Sequence, residues 1–426
     1  MHSSRIAILS IPTLLLLPAF AMAQDEATSS SSALIITTDD AMVARGVQSM
    51  FGGTGALPKP GEGAAYVLSL DDGGKVIAGE GAAKGWLTID ARPAQLMKIF
   101  KQQVTRARMM GSMMGGMALS QMGVDSAEVD DIVEAVFAFP NQVDTLHIAM
   151  PAKPEKGKPI ALDLDLGPVA KTGFADLVTA LHPHPQGLRH LPDDGAMITM
   201  NADIELSSIL PIINPLLQKF TTMMIADEDL RKQAVEMYAK FYPDLAGPMS
   251  MSMDQKSGMR MLAELVDGKA IATIMEDPLY AKIAQEAGSM GGAAKLTIEP
   301  KAFEHRGVSL TKSSVEMEDT GEPNPFMKDG KSVNLGGVVG SAMISVGMNA
   351  GEDDAKVLVD SILDNKLKRS PLGKGNTLMT MGIDLTKFGD MIAEATGNAP
   401  EGEMPARADM SIQKNDKGLH IEVRIK

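Results

Sequence analysis

A three-part unit that recurs along the chain constrains its fold more than any other feature. The first part is a short β-type run that reaches an aspartate and continues as an amphipathic helical pattern. It occurs at 85–100, 196–212 and 378–392. The aspartates at these junctions are Asp90, Asp203 and Asp384. Aspartate near a helix start accepts hydrogen bonds from the free backbone N–H groups, so we predict that each one caps the helix that follows it.

The other two parts of the unit are a helix with a defined end and a β-hairpin. The helix is predicted at 125–140 and again at 227–243, where acidic residues begin the pattern and a proline after aromatic residues ends it. The hairpin pairs two alternating strands around a polar turn, and the alternation predicts one buried face. It is predicted at 146–166, 249–266 and 410–425.

These parts predict an α+β fold of pseudo-repeated strand–helix–β-hairpin units, with antiparallel sheets covered by helices. We predict one α+β unit at 34–190, a second at 191–320 and a third, shorter unit at 336–426. Turn-rich linkers are expected near 187–195 and 319–335. Further strand patterns lie at 64–79, 294–318 and 340–348, and further helical patterns at 169–182, 269–287 and 352–364.

The first 23 residues have the features of a secretory signal peptide. Arg5 precedes an apolar run at 6–17, and Ala21-Met22-Ala23 forms a small-x-small cleavage site. The run is too short and too broken for a membrane span, so we expect no transmembrane segment after cleavage. Residues 24–33 are polar and small, which is typical of a flexible leader. The sequence therefore predicts a periplasmic or secreted protein.

The composition excludes several classes of function. The chain has no cysteine, which rules out disulfides, thiolate metal sites and thiol catalysis. Its net charge of −14 argues against nucleic acid as a partner. No G-x-S-x-G, H-E-x-x-H or G-x-x-x-x-G-K-[ST] motif occurs. We therefore predict a non-enzymatic protein without a cofactor.

Methionine is unusually abundant, with 33 residues against 11 Phe, 4 Tyr and 1 Trp. In "MSMSM", the side chains of Met249, Met251 and Met253 point to one face of a strand, and Met259 and Met261 follow on the partner strand. Burial explains such an alternation without any ligand, so we interpret these residues as core. The first strands of the units carry further methionines at 197, 200, 379 and 381.

A denser methionine cluster lies at 107–125, "ARMMGSMMGGMALSQMGVD". If the stretch is helical, its methionines share faces, but each glycine weakens a helix by about 1 kcal/mol relative to alanine. We predict a mobile connector or a loosely wound helix between helices at 93–105 and 126–138. Three hypotheses stay open: plain packing, a lid or groove for an apolar ligand, and a Cu(I) site between Met109 and Met122. The candidate lid residues are Met109, Met110, Met113, Met114 and Met117.

A second candidate site is the histidine-rich stretch "LHPHPQGLRHLPDD". His182, His184 and His190, followed by Asp193, could supply the four ligands of a zinc or copper site. The competing interpretation is an exposed polar loop between a helix and a strand.

The leading functional hypothesis is an exported binding protein with an apolar, Met-lined groove. Its partner would be a hydrophobic small molecule, a lipid or a protein. The alternatives are a copper- or zinc-binding protein, an enzyme whose site assembles from residues scattered along the chain, and an inert envelope scaffold.

Overall fold

The computed structural model places the chain in two compact units. Among the residues that the structure describes, unit 1 comprises those in 32–120, 126–178 and 415–422, and unit 2 comprises those in 179–414 and 423–426. The structure describes residues 32–51, 53, 55–71, 73–120, 126–155, 158–192, 195–223, 225, 227–254, 258–288, 294–317, 331–348, 350–373, 375–396 and 405–426. The predicted signal peptide, most of the predicted leader, Met122 and Asp193 lie outside these ranges.

Eleven α-helices occur in the described ranges. They are α1 (Ala41–Met50), α2 (Pro93–Ile99), α3 (Lys101–Ser120), α4 (Ser126–Ala138), α5 (Gly173–Ala180), α6 (Leu206–Met223), α7 (Glu228–Phe241), α8 (Lys269–Glu276), α9 (Pro278–Gly288), α10 (Glu352–Leu363) and α11 (Leu385–Thr396). Short 3-10 turns follow α4 and α7, at Phe139–Gln142 and Tyr242–Asp244. None of the helices in these ranges is long and apolar enough to cross a bilayer.

Strands account for most of the remaining described residues. They are β1 (Leu34–Thr38), β2 (Ala64–Leu70), β3 (Val76–Ala82), β4 (Leu87–Ala91), β5 (Val143–Met150), β6 (Ile160–Pro168), β7 (Leu188–Arg189), β8 (Ile198–Ala202), β9 (Leu245–Asp254), β10 (Gly258–Leu265), β11 (Ala294–His305), β12 (Val308–Met317), β13 (Lys331–Val339), β14 (Ala342–Met348), β15 (Arg369–Ser370), β16 (Thr377–Asp384), β17 (Arg407–Asn415) and β18 (Gly418–Ile425). This mixture of helices and antiparallel strands confirms the α+β prediction.

The core of unit 1 lies between an antiparallel sheet and its first helices. The strand order is β3-β2-β1-β4-β5-β6, and the first part of β18 lies next to β6. Alternate residues of these strands, such as Ile36, Leu68 and Ile148, bury their side chains against Ala44 of α1 and Leu96 of α2. The helix-covered face of this sheet is therefore closed.

Unit 2 has a longer antiparallel sheet, ordered β11-β12-β13-β14-β10-β9-β8-β16-β17, and a separate two-stranded pair, β7 and β15. On one face, Leu262 and Ile344 are buried with Ala355 and Leu358 of α10. A second cluster lies among α7, α8 and α9, where Leu230, Ala234, Ile274 and Ile283 are buried.

Most of the predicted elements occur where the sequence places them, but two of the three predicted caps are wrong. Asp384 accepts a hydrogen bond from the N–H of Lys387 (3.0 Å), as a capping residue of α11 does. Asp90 instead pairs with His147 across the sheet, and α2 begins after Arg92 without a side-chain cap. Asp203 lies three residues before α6 and is fully buried. Both of these side chains are used in tertiary contacts rather than local ones.

The described part of the methionine-rich stretch, 107–120, is helical, which agrees with the helical alternative of the prediction and not with the connector. Helix α3 continues through Gly111 to Ser120. Gly111 faces Val133 and Phe137 of α4, and Arg108 forms an ion pair with Glu134 (2.7 Å). These contacts between the two helices offset the helix-weakening effect of glycine.

Candidate functional site

The histidine-rich stretch forms an extended arm that packs on the sheet of unit 2. Leu188 and Leu191 in this arm are buried, and the N–H of Leu191 donates to Ser250 Oγ of β9 (3.0 Å). Ser250 Oγ in turn donates to Asn201 Oδ1 of β8 (2.7 Å). The prolines and this pairing hold the arm across the face of the sheet that also buries Leu262, which lies directly opposite Ser250.

His182 and His184 have different partners in this arm, and His190 is half-buried. His182 Nδ1 lies 3.6 Å from the carboxylate of Glu205. His184 donates its backbone N–H to Asp203 (3.2 Å), while its Nδ1 accepts from the N–H of Gln186 (3.2 Å). In the part of the chain that the structure describes, no three His, Asp or Glu side chains come together as a metal site.

Two buried carboxylates of the sheet hold the arm and the segment that pairs with it. Asp203 accepts the N–H of His184 through Oδ1 and the N–H of Leu372 through Oδ2, each at 3.2 Å. Glu264, at 1% exposure, accepts from Nη2 of Arg369 (2.6 Å) and from the backbone N–H of Arg189 (3.2 Å). Through these contacts, both carboxylates stabilise the position of the arm and of its partner segment on the sheet.

Arg189 and Arg369 both form ion pairs with the single negative charge of Glu264. Arg189 and Arg369 are directly opposite in the β7–β15 pair, and Nη1 of Arg189 lies 3.2 Å from Glu264 Oε2. Burial lowers the pKa of Arg189; Glu264 opposes this shift and Arg369 adds to it. Ser341 Oγ accepts from Nη2 of Arg189 at 3.1 Å.

The opposite face of the same sheet is lined by methionine. In one row across five adjacent strands, Met410, Met381, Met200, Met251 and Met261 lie directly opposite one another. Directly opposed residues in antiparallel strands point to the same side, with Cβ atoms about 5 Å apart. The five thioethers therefore form one continuous band.

The rows on either side of this band are also apolar. One row joins Met379, Ala202, Met249 and Ala263, and the other joins Ile383, Ile198, Met253 and Met259. Because side chains two residues apart share a face, all three rows lie on one side of the sheet. We call this surface, on β16, β8, β9 and β10 together with Met410, the methionine face.

The methionine face is only partly covered. The interpretation of these residues as core is confirmed for Met253, at 7% exposure, and for Met197, at 1%. Met200, Met249 and Met251 are half-buried, as are the other methionines of the band. By contrast, Ser250 on the opposite face of β9 is 1% exposed, because the arm covers it.

Two helices border the methionine face. At one end, Met391 and Phe388 of α11 pack with Met253 and Met259. At the other end, the start of α6 approaches Gly247, whose φ of +114° suits glycine. A Cβ at this position would collide with the carbonyl oxygen of Ile204.

A cavity of about 310 Å³ opens beside this second end. Its lining combines apolar and polar side chains from α6 and from the start of β9, and its volume falls at the lower end of the range of small-molecule sites. The lining residues are Ser207, Leu210, Pro211, Asn214, Pro243 and Leu245.

The predicted lid residues lie in unit 1, on α3. Met109, Met110 and Met113 are 67%, 52% and 63% exposed. Met114 and Met117 belong to the same helix, but their side chains are outside the description.

Sequence reasoning missed a row of alternating acidic and imidazole groups in unit 1. Asp90, His147 and Asp165 are directly opposite on β4, β5 and β6. His147 Nδ1 lies 2.6 Å from Asp90, and His420 Nδ1 lies 2.9 Å from Asp165. Each carboxylate fixes one imidazole nitrogen, so the row links neighbouring strands on the face away from α1 and α2. The register of the strand pairs brings these residues together, and this register cannot be read from the sequence.

Comparisons of the chain with protein-family models, with curated protein sequences and with solved structures find no match. The function is therefore inferred from the geometry of the two units.

Proposed function

We propose that the chain is an exported, non-enzymatic binding protein that holds a hydrophobic ligand against the methionine face of unit 2. The observation that carries the proposal is the half-buried band of five methionines across five strands. Flexible, polarizable thioethers adapt to apolar ligands of varied shape. A partly covered apolar surface of this extent is typical of a binding site rather than of a finished core.

A comparison between the two sheets supports this proposal. In β5 of unit 1, the alternating residues Leu146, Ile148 and Met150 are 8%, 3% and 8% exposed, because helices close that face. In β9 of unit 2, Met249 and Met251 stay half-buried although α6 and α11 border the same face. The helices of unit 2 thus leave apolar surface that a ligand could cover.

A long-chain or otherwise elongated apolar molecule fits this surface best. The band runs across the strands, so its length is set by the strand spacing of about 4.8 Å and spans roughly 19 Å over five strands. Polar groups approach one end of the face, where Ser207 and Asn214 line the cavity. A ligand with an apolar body and one polar end would match both features.

The first test is native mass spectrometry of protein purified gently from an export-competent host. A bound mass of lipid size supports the proposal and gives the class of ligand. A bound metal instead favours the copper or zinc alternative, through the histidine arm or the segment Met109–Met122. Bare protein that also fails to take up a fatty acid or phospholipid in vitro favours the envelope scaffold.

A variant test locates the ligand. The double variant Met200→Ser, Met251→Ser should weaken binding of the recovered lipid by at least tenfold, because two apolar contacts at the centre of the band are lost. The control is Met42→Ser on α1, where the side chain is 76% exposed. Equal binding by the two variants, with folding checked by circular dichroism, would place the ligand elsewhere.

We also propose that the units derive from one repeated strand–helix–hairpin element. The succession β4, α2, α3, α4, a 3-10 turn and the β5–β6 hairpin in unit 1 resembles β8, α6, α7, a 3-10 turn and the β9–β10 hairpin in unit 2, except that two helices, α2 and α3, stand where unit 2 has α6. Pro140 and Pro243 occupy the same place in the two turns. A profile of related sequences that aligned 85–166 with 196–266 would support common descent.

A further inference from the structure

Helix α3 of unit 1 has an outward face that combines exposed methionines with a cation. Arg106, Met109, Met110 and Met113 follow the spacing i, i+3, i+4 and i+7, which places them on one side of a helix. All four are exposed, and the three methionines are more than half exposed. The opposite side, at Gly111, faces Val133 and Phe137 of α4, and Ala107 beside it is buried. The apolar side chains therefore project away from the helix pair that anchors α3.

The charge of this helix is opposite to that of the chain. Residues 93–120 contain Lys98, Lys101, Arg106 and Arg108 and no aspartate or glutamate, whereas the whole chain has a net charge of −14. Arg108 is neutralised by Glu134 of α4. Arg106 is left as an exposed cation on the side that carries the methionines.

We propose that this outward face of α3 docks onto an anionic lipid bilayer. A helix with basic and apolar residues on one side lies in the plane of the membrane interface, with the apolar side chains among the acyl chains. The long stems of lysine and arginine let their charges reach the headgroup phosphates while the methionines insert. The acidic overall charge opposes random adsorption, so it restricts contact to this side of the helix.

The neighbouring helix makes the orientation specific. Asp130 of α4 is exposed, and its charge would be repelled by anionic headgroups. Glu134 is held by Arg108, which keeps that carboxylate turned toward α3. The α3 side of the helix pair can approach the bilayer, and the α4 side cannot. The inference uses residues of unit 1 alone and does not depend on a ligand at the methionine face.

The test is co-sedimentation of the full chain with vesicles of phosphatidylcholine alone and of phosphatidylcholine with about one third phosphatidylglycerol. We expect binding to the anionic vesicles that weakens as salt rises, and little binding to the neutral ones. No binding to anionic vesicles overturns the proposal and leaves a protein partner as the explanation of the exposed patch. Equal binding to both vesicles, insensitive to salt, also overturns it.

Matched variants test the residues. Met109→Ser, Met110→Ser, Met113→Ser together should reduce affinity for anionic vesicles at least tenfold, and Arg106→Gln alone should reduce it about fivefold. The control replaces three equally exposed apolar residues elsewhere: Met42→Ser, Val266→Ser and Val357→Ser. If the control lowers affinity as much as the methionine variant does, the contact is unspecific and the proposal fails.

Discussion

Replacing Glu264 by glutamine should destabilise unit 2 strongly. The carboxylate is 1% exposed and is the shared acceptor of Arg369 and Arg189, whose side chains are 27% and 15% exposed. In Glu264→Gln, two guanidinium groups directly opposite in the β7–β15 pair would face each other without a compensating charge. Breaking a buried ion pair by removing one partner costs about 3–5 kcal/mol. We expect about 3 kcal/mol, because glutamine still accepts one hydrogen bond and water reaches part of Arg369.

The assay is thermal unfolding followed by circular dichroism. For a unit of this size, the expected loss lowers the midpoint by about 6–12 °C. The control is Glu316→Gln, which removes a carboxylate from an ion pair with Lys331 whose side chains are each about half exposed. We expect no resolvable change there, since exposed pairs contribute little. Adding Arg369→Met to Glu264→Gln should restore part of the loss. Equal midpoints for the two glutamine variants would refute the electrostatic argument.

Three further predictions concern single residues. Gly247→Ala should cost about 2–3 kcal/mol in urea unfolding, because φ is +114° and a Cβ would meet the Ile204 carbonyl; a loss under 1 kcal/mol would contradict this. Asp40→Ala should cost about 1 kcal/mol at pH 7, since Asp40 caps α1. A hydrogen bond from Lys153 lowers the pKa of Asp40. The stabilisation by Asp40 is therefore present above the ordinary carboxyl pKa and is lost as pH falls through the lowered value. The urea midpoints of wild type and variant should converge at pH 2. Burial and two nearby tyrosines raise the pKa of Tyr238 to about 12, so alkaline absorbance titration should lose its last phenolate transition in Tyr238→Phe.

Local patterns predicted the elements well because their signals are local. The acidic start and proline end of 227–243 match α7, which is capped by Asp227 and followed by a 3-10 turn at Pro243. The period-two alternation of "MSMSM" matches β9. The caps failed at Asp90 and Asp203 because those side chains are taken by partners 57 and 169 residues away. Such distant partners leave no signal in the neighbouring sequence.

The candidate site was only partly predictable for the same reason. The sequence shows methionines at alternating positions of several strands, but not that five of them share one row. That row depends on the register of four strand pairs. For the histidine stretch, the residue types fit a metal site, but the structure uses the backbone of this stretch to cover Ser250 and Asp203. The predicted unit boundaries at 190 and 320 stay predictions.

On β8, β9 and β10 of unit 2, methionines on one face stay half-buried while polar groups on the opposite face are buried, and this arrangement is the strongest structural argument for a binding role. A sheet that only needed a core would bury its methionines and expose its serines, since apolar burial yields about 25 cal/mol per Å² and buried polar groups must each find a partner. Here Ser250, Asp203 and Glu264 are buried beneath the arm, each supplied with hydrogen-bond partners, while Met200 and Met251 stay half-buried. The buried polar groups fix the arm on the face that also buries Leu262 and Ile344. Because the core lies on that face, the methionine face can stay partly covered without loss of the fold, and we propose that its thioethers adjust to a ligand at little conformational cost.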